Sequence, residues 1–256
     1  MNLYALHASV VKELPKQIYQ FLIMLNITEG EILLVNKPYR WTSFDVIGSL
    51  RGLMKHLLGG KKIKVGHAGT LDPLATGLLI ICTGKATKRI EEFKDFDKEY
   101  TGTFILGATT PSYDLEKEVN ETFATDHITN EMVRAAAINL SGDIMQVPPM
   151  FSAIKIDGKR AYESARKDKD LGLAARPVSV PVFEITRIEM PEVDFRIVCS
   201  KGTYIRALAR DFGESLQSGA YLSSLCRTRV GPHLLSNAYE VEELKTILRA
   251  QYQPKT

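Results

Sequence analysis

The feature that most limits the fold is an irregular alternation of short strand-like runs with amphipathic helical ones. β-Branched and aromatic residues dominate residues 100–106 and 195–199, whereas apolar residues recur at the helical period over residues 46–58. Neighbouring strand-like runs are close enough to pair as hairpins. This pattern is typical of an α+β domain with a mixed, mostly antiparallel sheet flanked by helices. Other predicted strands are residues 31–35, 62–65 and 178–189, and other predicted helices are residues 130–140, 204–216 and 241–252.

The chain length fits one large domain. Of its 256 residues, 45% are apolar, which is enough to bury a sizeable core. We expect residues 31–256 to form a single domain and residues 1–30 to be an N-terminal extension, with Met24 as an alternative translation start. No apolar run is long enough to span a bilayer, and the N-terminus does not resemble a secretory signal. A cytoplasmic protein is therefore predicted.

The cysteines and histidines do not indicate a metal site or a disulfide framework. Cys82, Cys199 and Cys226 are odd in number and far apart, so buried reduced thiols are expected. The five histidines show no ligand spacing. We therefore predict no metal and no cofactor.

Charge is distributed unevenly along the chain. Residues 55–89 hold seven lysines and arginines with Asp72 as the only acid, and residues 196–210 hold four with no acid. If these two basic segments meet, they form a positive surface able to hold a phosphodiester backbone. The acidic residues of segment 114–131 are expected to stay solvated.

The stretch GHAGTLDPLATGLLIICTG, residues 66–84, holds a single carboxylate, Asp72, among small residues. Asp72 and Pro73 form a good helix start, with Gly77 to close the turn, so Asp72 is interpretable as a cap. Alternatively, Pro73 holds a reactive carboxylate in an extended conformation while Gly66 and Gly69 let another chain approach it. The residues alone leave both interpretations open.

Two further stretches carry candidate chemistry. In CSKGTYIRALARDFGE, residues 199–214, Arg206 lies in an otherwise apolar turn, so it is either exposed or paired with a carboxylate from elsewhere. Tyr100 in KEYTGTFILG is either a half-buried packing residue or a ring that stacks on a nucleobase. His67 fits a hydrogen-bonded loop residue.

Together these stretches resemble the TruB-type tRNA pseudouridine synthases. The resemblance covers about residues 31–229 and rests on motifs in the family's order. They are Lys37-Pro38 with WTSFD, GHAGTLDPLATGLL, Lys98-Glu-Tyr100, VPPMFSAIKIDGKRAYESAR and SKGTYIRALARDFG. The resemblance implies the pseudouridine synthase fold. It also implies isomerisation of uridine to pseudouridine at position 55 in the T loop of tRNA, without cofactor or metal.

The resemblance also implies catalytic roles. Asp72 falls on the family's essential aspartate, for which attack at ribose C1′, attack at base C6 and removal of a ribose proton are all open. Tyr100 aligns with the tyrosine that stacks on the flipped base and assists proton transfer. Arg206 aligns with the arginine that pairs with the aspartate and keeps it ionised and oriented.

Four substrate-binding residues are implied in the same way. The target base must be flipped out of a folded loop, at a cost of a few kcal/mol. His67 falls on the position that fills the emptied space. Tyr204 and Leu225 match positions that line the uracil pocket, with Lys37 nearby.

The resemblance further implies how the RNA is held. A basic element over about residues 148–176 corresponds to the family's RNA-binding insertion, which orders on binding. The residues after Arg229 are enough for a helix but not for the C-terminal PUA domain that many members carry, so we expect affinities for whole tRNA and for an isolated T arm to differ little. The expected partner is the T arm of tRNA. No motif indicates a protein partner, and we expect a monomer.

Two other function classes compete with catalysis on tRNA. An RNA-binding or tRNA-folding module would need the clustered basic residues but not Asp72. A glycosidase acting on simple sugars would need a paired carboxylate, and the motifs contain no second one.

Overall fold

The computed structural model describes residues 25–150, 155–156, 159–160 and 173–252. The strands in chain order are β1 (Ile32–Lys37), β2 (Val65–Ala68), β3 (Thr76–Thr83), β4 (Lys98–Leu106), β5 (Ala108–Thr109), β6 (Glu121–Thr122), β7 (Gly142–Gln146), β8 (Lys155–Ile156), β9 (Lys159–Arg160), β10 (Arg176–Val180), β11 (Val182–Glu189), β12 (Glu192–Cys199), β13 (Ala220–Val230), β14 (His233–Leu234) and β15 (Tyr239–Glu240). The α-helices are α1 (Ser43–Leu57), α2 (Ile90–Asp95), α3 (Asn130–Asn139), α4 (Ile205–Ser215) and α5 (Val241–Tyr252). Two 3₁₀ helices are Gly84–Arg89 and Leu235–Asn237.

A mixed sheet forms the centre of the described chain. Its main path runs β11-β12-β4-β13-β3-β1-β15, with β14 beside β13 and β2 beside β3. The β13–β3 and β1–β15 pairs are parallel, and the other pairs of this sheet are antiparallel. The predicted α+β class with a mostly antiparallel sheet is therefore confirmed. Because β13 lies between β4 and β3, residues distant in sequence meet there.

The apolar core is divided between two groups of helices. Helices α3 and α4 pack on β4, β11, β12 and β13, where the Phe104 ring contacts the rings of Phe195 and Phe212. Helices α1 and α5 pack on β1 and β3 through a second buried cluster. None of the described helices is long and apolar enough to cross a membrane.

Most predicted helices begin and end where local signals place them. Thr42 caps α1 by accepting the Asp45 amide at 3.0 Å, and the Asp45 carboxylate accepts the Thr42 amide at 2.8 Å. Helix α5 spans the predicted residues 241–252, and its apolar residues Val241, Leu244, Ile247 and Leu248 are buried. These signals act within one or two turns, which is why the sequence reveals them.

Three local predictions are wrong. Residues 178–189 form two strands in different sheets, β10 and β11, that meet at Pro181. A proline has no amide proton to continue a ladder. Residues 62–64 are not strand, and β2 begins at Val65. Residues 25–30, predicted to lie in the extension, pack into the domain, because Ile27 is fully buried and its amide donates to the Tyr252 hydroxyl.

The pairing of β3 with β13 depends on one glycine. Gly77 has a φ of 102°, and a Cβ there would overlap the Arg227 carbonyl oxygen and lie 2.6 Å from the Arg227 amide nitrogen. We expect Gly77→Ala to lower the free energy of unfolding by about 2–4 kcal/mol, since it combines backbone strain with a steric clash. Urea denaturation measures this.

The matched control is Gly52→Ala on α1, where a Cβ meets nothing within 4 Å. That change should be neutral or stabilising by up to about 1 kcal/mol. A Gly77→Ala protein as stable as wild type would contradict the close approach of the two strands.

Candidate active site

Asp72 lies in residues 69–75, here called the Asp72 loop, between β2 and β3. Helix α1 holds the loop, because the buried Ser43 hydroxyl accepts the Leu71 amide at 2.9 Å and donates to the Leu71 carbonyl at 3.2 Å. The Arg40 amide donates to the Pro73 carbonyl at 2.8 Å. These bonds fix the loop on both sides of Asp72.

Asp72 does not cap a helix. Its carbonyl accepts the Ala75 amide at 3.1 Å in a single turn, and the chain then enters β3 at Thr76. The capping interpretation is wrong because the apolar run after the turn is a fully buried central strand paired with β1. The carboxylate is left 42% exposed, which makes it accessible to a ligand.

Arg206 supplies the charge partner of Asp72. Its Nε donates to Asp72 Oδ2 at 2.9 Å, across 134 residues of sequence. The Arg206 side chain is only 6% exposed. The interpretation of Arg206 as a buried residue that needs a carboxylate from elsewhere is confirmed, and the carboxylate is Asp72.

A second carboxylate, Asp114, also faces Arg206. Asp114 Oδ2 lies 3.6 Å from Arg206 Nε, and its side chain is 7% exposed. Arg206 Nη1 donates to the Ser112 carbonyl at 3.1 Å. One guanidinium therefore links an exposed aspartate to a buried one.

The sequence predicts that Asp114 is solvated with the other acids of segment 114–131, and for this residue that prediction is wrong. The turn that carries it is held by the Thr110 and Ser112 hydroxyls, which donate to the Asp114 carbonyl at 2.7 and 3.2 Å. The Leu222 amide on β13 donates to the Tyr113 carbonyl at 3.0 Å. This docking on β13 buries Asp114, whereas the acids that follow it in the sequence are exposed.

Tyr100 lies on β4, directly opposite Arg227 on β13. Its ring is partly buried against the α3–α4 core. Burial raises the pKa of the Tyr100 hydroxyl, and the neighbouring Arg227 guanidinium opposes that shift. The hydroxyl is therefore neutral at physiological pH and able to donate or accept a hydrogen bond.

Tyr204 lies directly before α4, and Leu225 lies on β13. The buried Gln146 binds the Tyr204 backbone twice, at 2.8 Å to the amide and 3.1 Å to the carbonyl. Leu225 lines a groove of about 460 Å³ together with Leu74 and Thr76, which follow Asp72 in the chain. That both contact uracil stays a prediction.

Lys37 is fully buried at the end of β1. Its ammonium donates to the carbonyls of Pro38 at 2.9 Å, Trp41 at 2.5 Å and Pro73 at 3.3 Å. Burial lowers its pKa to about 8, and Asp72 opposes that shift. In this structure Lys37 supports the Asp72 loop, and a contact with the base stays a prediction.

The two basic segments do not form one free positive surface. All four basic residues of segment 196–210 are ion-paired: Arg196, Lys201, Arg206 and Arg210. In the first segment, Lys85 and Arg89 pair with nearby glutamates. A groove of about 300 Å³ is nevertheless lined by Lys62, Lys64, Lys85 and Lys88.

The cysteines are thiols in the described chain. Cys82 and Cys199 are buried and Cys226 is partly buried. Burial raises the pKa of Cys82 to about 11 and that of Cys199 to about 12, so neither is a thiolate at neutral pH. No group of three or more His, Cys, Asp or Glu among the described residues could hold a metal ion.

His67 lies on β2 next to the exposed ring of Phe44, which meets it edge-on at 5.5 Å between centroids. Its Nδ1 is buried and has no hydrogen-bond partner among the described residues. Burial lowers the pKa of His67, and the positive charges of Arg227 and Lys94 lower it further. The imidazole is therefore neutral at physiological pH.

This shift predicts a pH dependence of stability. Below pH 7 the unfolded chain binds a proton at residue 67 before the folded chain does, so the free energy of unfolding falls as pH decreases. We expect His67→Gln to remove this contribution, so that the stability of wild type relative to the variant declines from pH 7 to pH 5. His233 shifts in the same direction, and the comparison with the variant isolates His67. Parallel stability profiles in urea titrations would contradict the prediction.

Comparison with known proteins agrees with this geometry. Residues 55–205 match the model of the TruB family pseudouridylate synthase (N terminal domain). The chain is 56% identical to tRNA pseudouridine synthase B of Phocaeicola vulgatus over 227 residues, covering 89% of this chain and 97% of that protein. It is 53% identical to the protein of the same name from Flavobacterium johnsoniae over 214 residues, covering 83% of this chain and 93% of the relative.

A solved structure has a similar fold. The crystal structure of a Cbf5-Nop10-Gar1 complex contains a chain that matches with a TM-score of 0.64 and 26% identity, over 92% of this chain and 57% of that one. The resemblance inferred from the motifs is thus confirmed at both sequence and fold level. The chain belongs to the TruB family of pseudouridylate synthases.

Proposed function

We propose that this protein isomerises uridine to pseudouridine in tRNA, with Asp72 as its catalytic carboxylate. The observation that carries the proposal is the Arg206–Asp72 pair, in which a nearly buried guanidinium binds a carboxylate that is 42% exposed. The buried side of the carboxylate is held and the exposed side is accessible. Membership of a pseudouridylate synthase family gives that carboxylate its reaction.

The reaction needs no outside reagent. The bond between ribose C1′ and base N1 breaks, the uracil turns, a bond forms between C1′ and C5, and the C5 proton moves to N1. Substrate and product have the same atoms and electrons. The groups proposed to assist these steps are the Asp72 carboxylate and the Tyr100 phenol. The phenol is neutral because burial keeps its hydroxyl protonated.

Arg206 is proposed to hold Asp72 in a fixed orientation through the hydrogen bond from its Nε to Asp72 Oδ2. Asp114 and the Ser112 carbonyl also bind the guanidinium, at its Nε and Nη1 respectively. Such contacts fix the position of Arg206, and a fixed Arg206 keeps Asp72 in its productive geometry.

The proposed target is uridine 55 in the T arm. The base must leave the folded loop to reach Asp72, and His67 is proposed to fill the space it vacates. The neutral, partly buried His67 ring beside Phe44 supports this role, because an uncharged ring stacks on neighbouring bases without the cost of desolvating a charge.

The phosphate backbone is proposed to be held by basic residues outside the catalytic centre. The lysine-lined groove at Lys62, Lys64, Lys85 and Lys88 supports this. The predicted RNA-binding insertion, residues 148–176, lies largely outside the described residues. Of that segment, β8 and β9 form an antiparallel pair with register Ile156 to Lys159, and the turn expected at Asp157-Gly158 lies outside the described residues.

The test is to map pseudouridine in unmodified tRNA incubated with purified protein. Mass spectrometry or chemical mapping should find it at the T-loop uridine after several turnovers per enzyme. Modification at a different uridine would contradict the proposed target. Binding without any product would favour an RNA-binding or tRNA-folding module over a synthase.

A further inference from the structure

Arg227 is the largest side chain that the fold buries completely near the Asp72 loop, at 1% exposure. Its Nε donates to the Leu78 carbonyl at 2.7 Å, and its Nη2 donates to the Gly69 carbonyl at 3.1 Å. Gly69 is the first residue of the Asp72 loop, and Leu78 lies just beyond its end, on β3. One planar guanidinium therefore joins the two ends of the loop.

The sheet register explains how Arg227 reaches both ends. Arg227 is opposite Tyr100 on β4 and opposite Gly77 on β3. Directly opposite residues in a sheet project to the same face. Because Gly77 has no side chain, nothing on β3 competes with the guanidinium at that position.

The backbone conformation of Gly69 permits its contact with Arg227. Its φ of 83° lies in the left-handed region that favours glycine, and a Cβ there would lie 3.4 Å from Arg227 Nη1. The first residue of the loop therefore turns beside the guanidinium that binds its carbonyl. A residue with a side chain at this position would be strained, because L-residues rarely adopt this φ.

A buried cation is costly unless it is compensated. Within the part of the chain that the structure describes, no carboxylate lies within ion-pair distance of Arg227. Its partners are neutral: the Leu78 and Gly69 carbonyls and the Tyr100 hydroxyl. A neutral apolar side chain would fill this core position at lower cost. Packing alone therefore does not explain a charged, forked side chain at this position, and its charge and geometry indicate a further role.

We propose that Arg227 is a positioning residue that fixes the span of the Asp72 loop and thereby the placement of the catalytic carboxylate relative to Tyr100. This inference rests on the proposed function. A guanidinium binds both carbonyls at once because its N–H groups diverge at fixed angles. An ammonium at this position keeps the charge but cannot reproduce the fork.

The main test is Arg227→Lys, with Arg229→Lys as the matched control. Arg229 lies two residues further along β13, where it donates to the Gly231 carbonyl at 3.1 Å and makes no contact with the loop in the described structure. We expect Arg227→Lys to reduce kcat for tRNA by about 100-fold, the effect of roughly 1 Å of misplacement, with KM within about threefold of wild type. Arg229→Lys should match wild type in both constants.

Hydrogen–deuterium exchange provides a readout that does not depend on activity. In Arg227→Lys the amides of residues 69–78 should exchange faster, while those of β4 and β12 keep wild-type protection. Gly69→Ala tests the same link from the other side and leaves the buried cation in place. It should also lower kcat and loosen the loop with little change in KM.

The outcomes of these experiments distinguish a failure of the positioning role from a failure of the proposed function. Wild-type kcat in Arg227→Lys, or faster exchange spread evenly over the sheet, would overturn the positioning role. If Arg227→Lys does not fold, Gly69→Ala decides, and wild-type kcat with an unchanged loop would overturn the role. If the wild-type protein makes no pseudouridine in tRNA, the proposed function fails, and the exchange experiment still decides whether Arg227 holds the loop.

Discussion

Replacing Asp72 by Asn is expected to reduce pseudouridine formation in tRNA by at least about 10³-fold, equivalent to about 4 kcal/mol of transition-state stabilisation. The amide has nearly the size of the carboxylate but cannot act as a base or nucleophile. The free energy of unfolding should change by less than about 1 kcal/mol, because Asp72 is 42% exposed and Arg206 keeps its contact with Asp114. Single-turnover assays and urea denaturation measure the two quantities.

The control for this change is Asp95→Asn. Asp95 also pairs with a basic side chain, at 2.7 Å from Lys201 Nζ, but lies at the end of α2 and lines neither groove. It should lose an ion pair and keep wild-type activity. Binding of tRNA by Asp72→Asn should also be unchanged. An Asp72→Asn protein that still turns over would remove Asp72 from the mechanism.

Replacing Arg206 by Met is expected to lower the free energy of unfolding by about 3–5 kcal/mol and to abolish activity. The methionine fills much of the volume but leaves the buried Asp114 carboxylate without its cation. Removal of one partner of a buried pair is costly for this reason. Activity is lost because Asp72 loses the group that orients it.

A second substitution separates the loss of stability from the loss of activity. Adding Asp114→Asn removes the uncompensated charge, and Asn Oδ1 can still accept the Glu116 amide that Asp114 Oδ1 accepts at 2.9 Å. We expect the double variant to regain stability, with an interaction free energy of at least about 1 kcal/mol in the double-mutant cycle. It should remain inactive. Additive stability effects would show that Arg206 and Asp114 do not interact.

The Asp72 region shows where prediction from sequence stops. The residues around Asp72 were compatible with a helix start and with a reactive loop, because Asp and Pro favour both. The structure resolved this through β3, a strand that is buried on both faces and leaves no room for a helix after Ala75. Whether an apolar run forms a helix or a central strand is decided by its neighbours in the sheet.

Asp114 and Arg227 had no sequence signal that points to the site. Asp114 opens an acidic stretch, and acids in such stretches are usually solvated. Arg227 lies near the end of a strand that holds one other arginine, Arg229. Each became part of the site because β13 carries Arg227 between β4 and β3 and docks the turn that holds Asp114. Contacts of this kind depend on pairings over a hundred residues apart.

The sequence by itself determined the helices with clear caps and periodicity, the α+β class, and the family motifs that single out Asp72, Tyr100 and Arg206. These depend on interactions within a few residues or on short motifs, so they can be read locally. Only the tertiary structure decided that Arg206 takes Asp72 as its partner, that Asp114 is buried behind it, and that Lys37 and Arg227 support the loop. The physical reason is that the cost of burying a charge depends on which groups the sheet register brings around it.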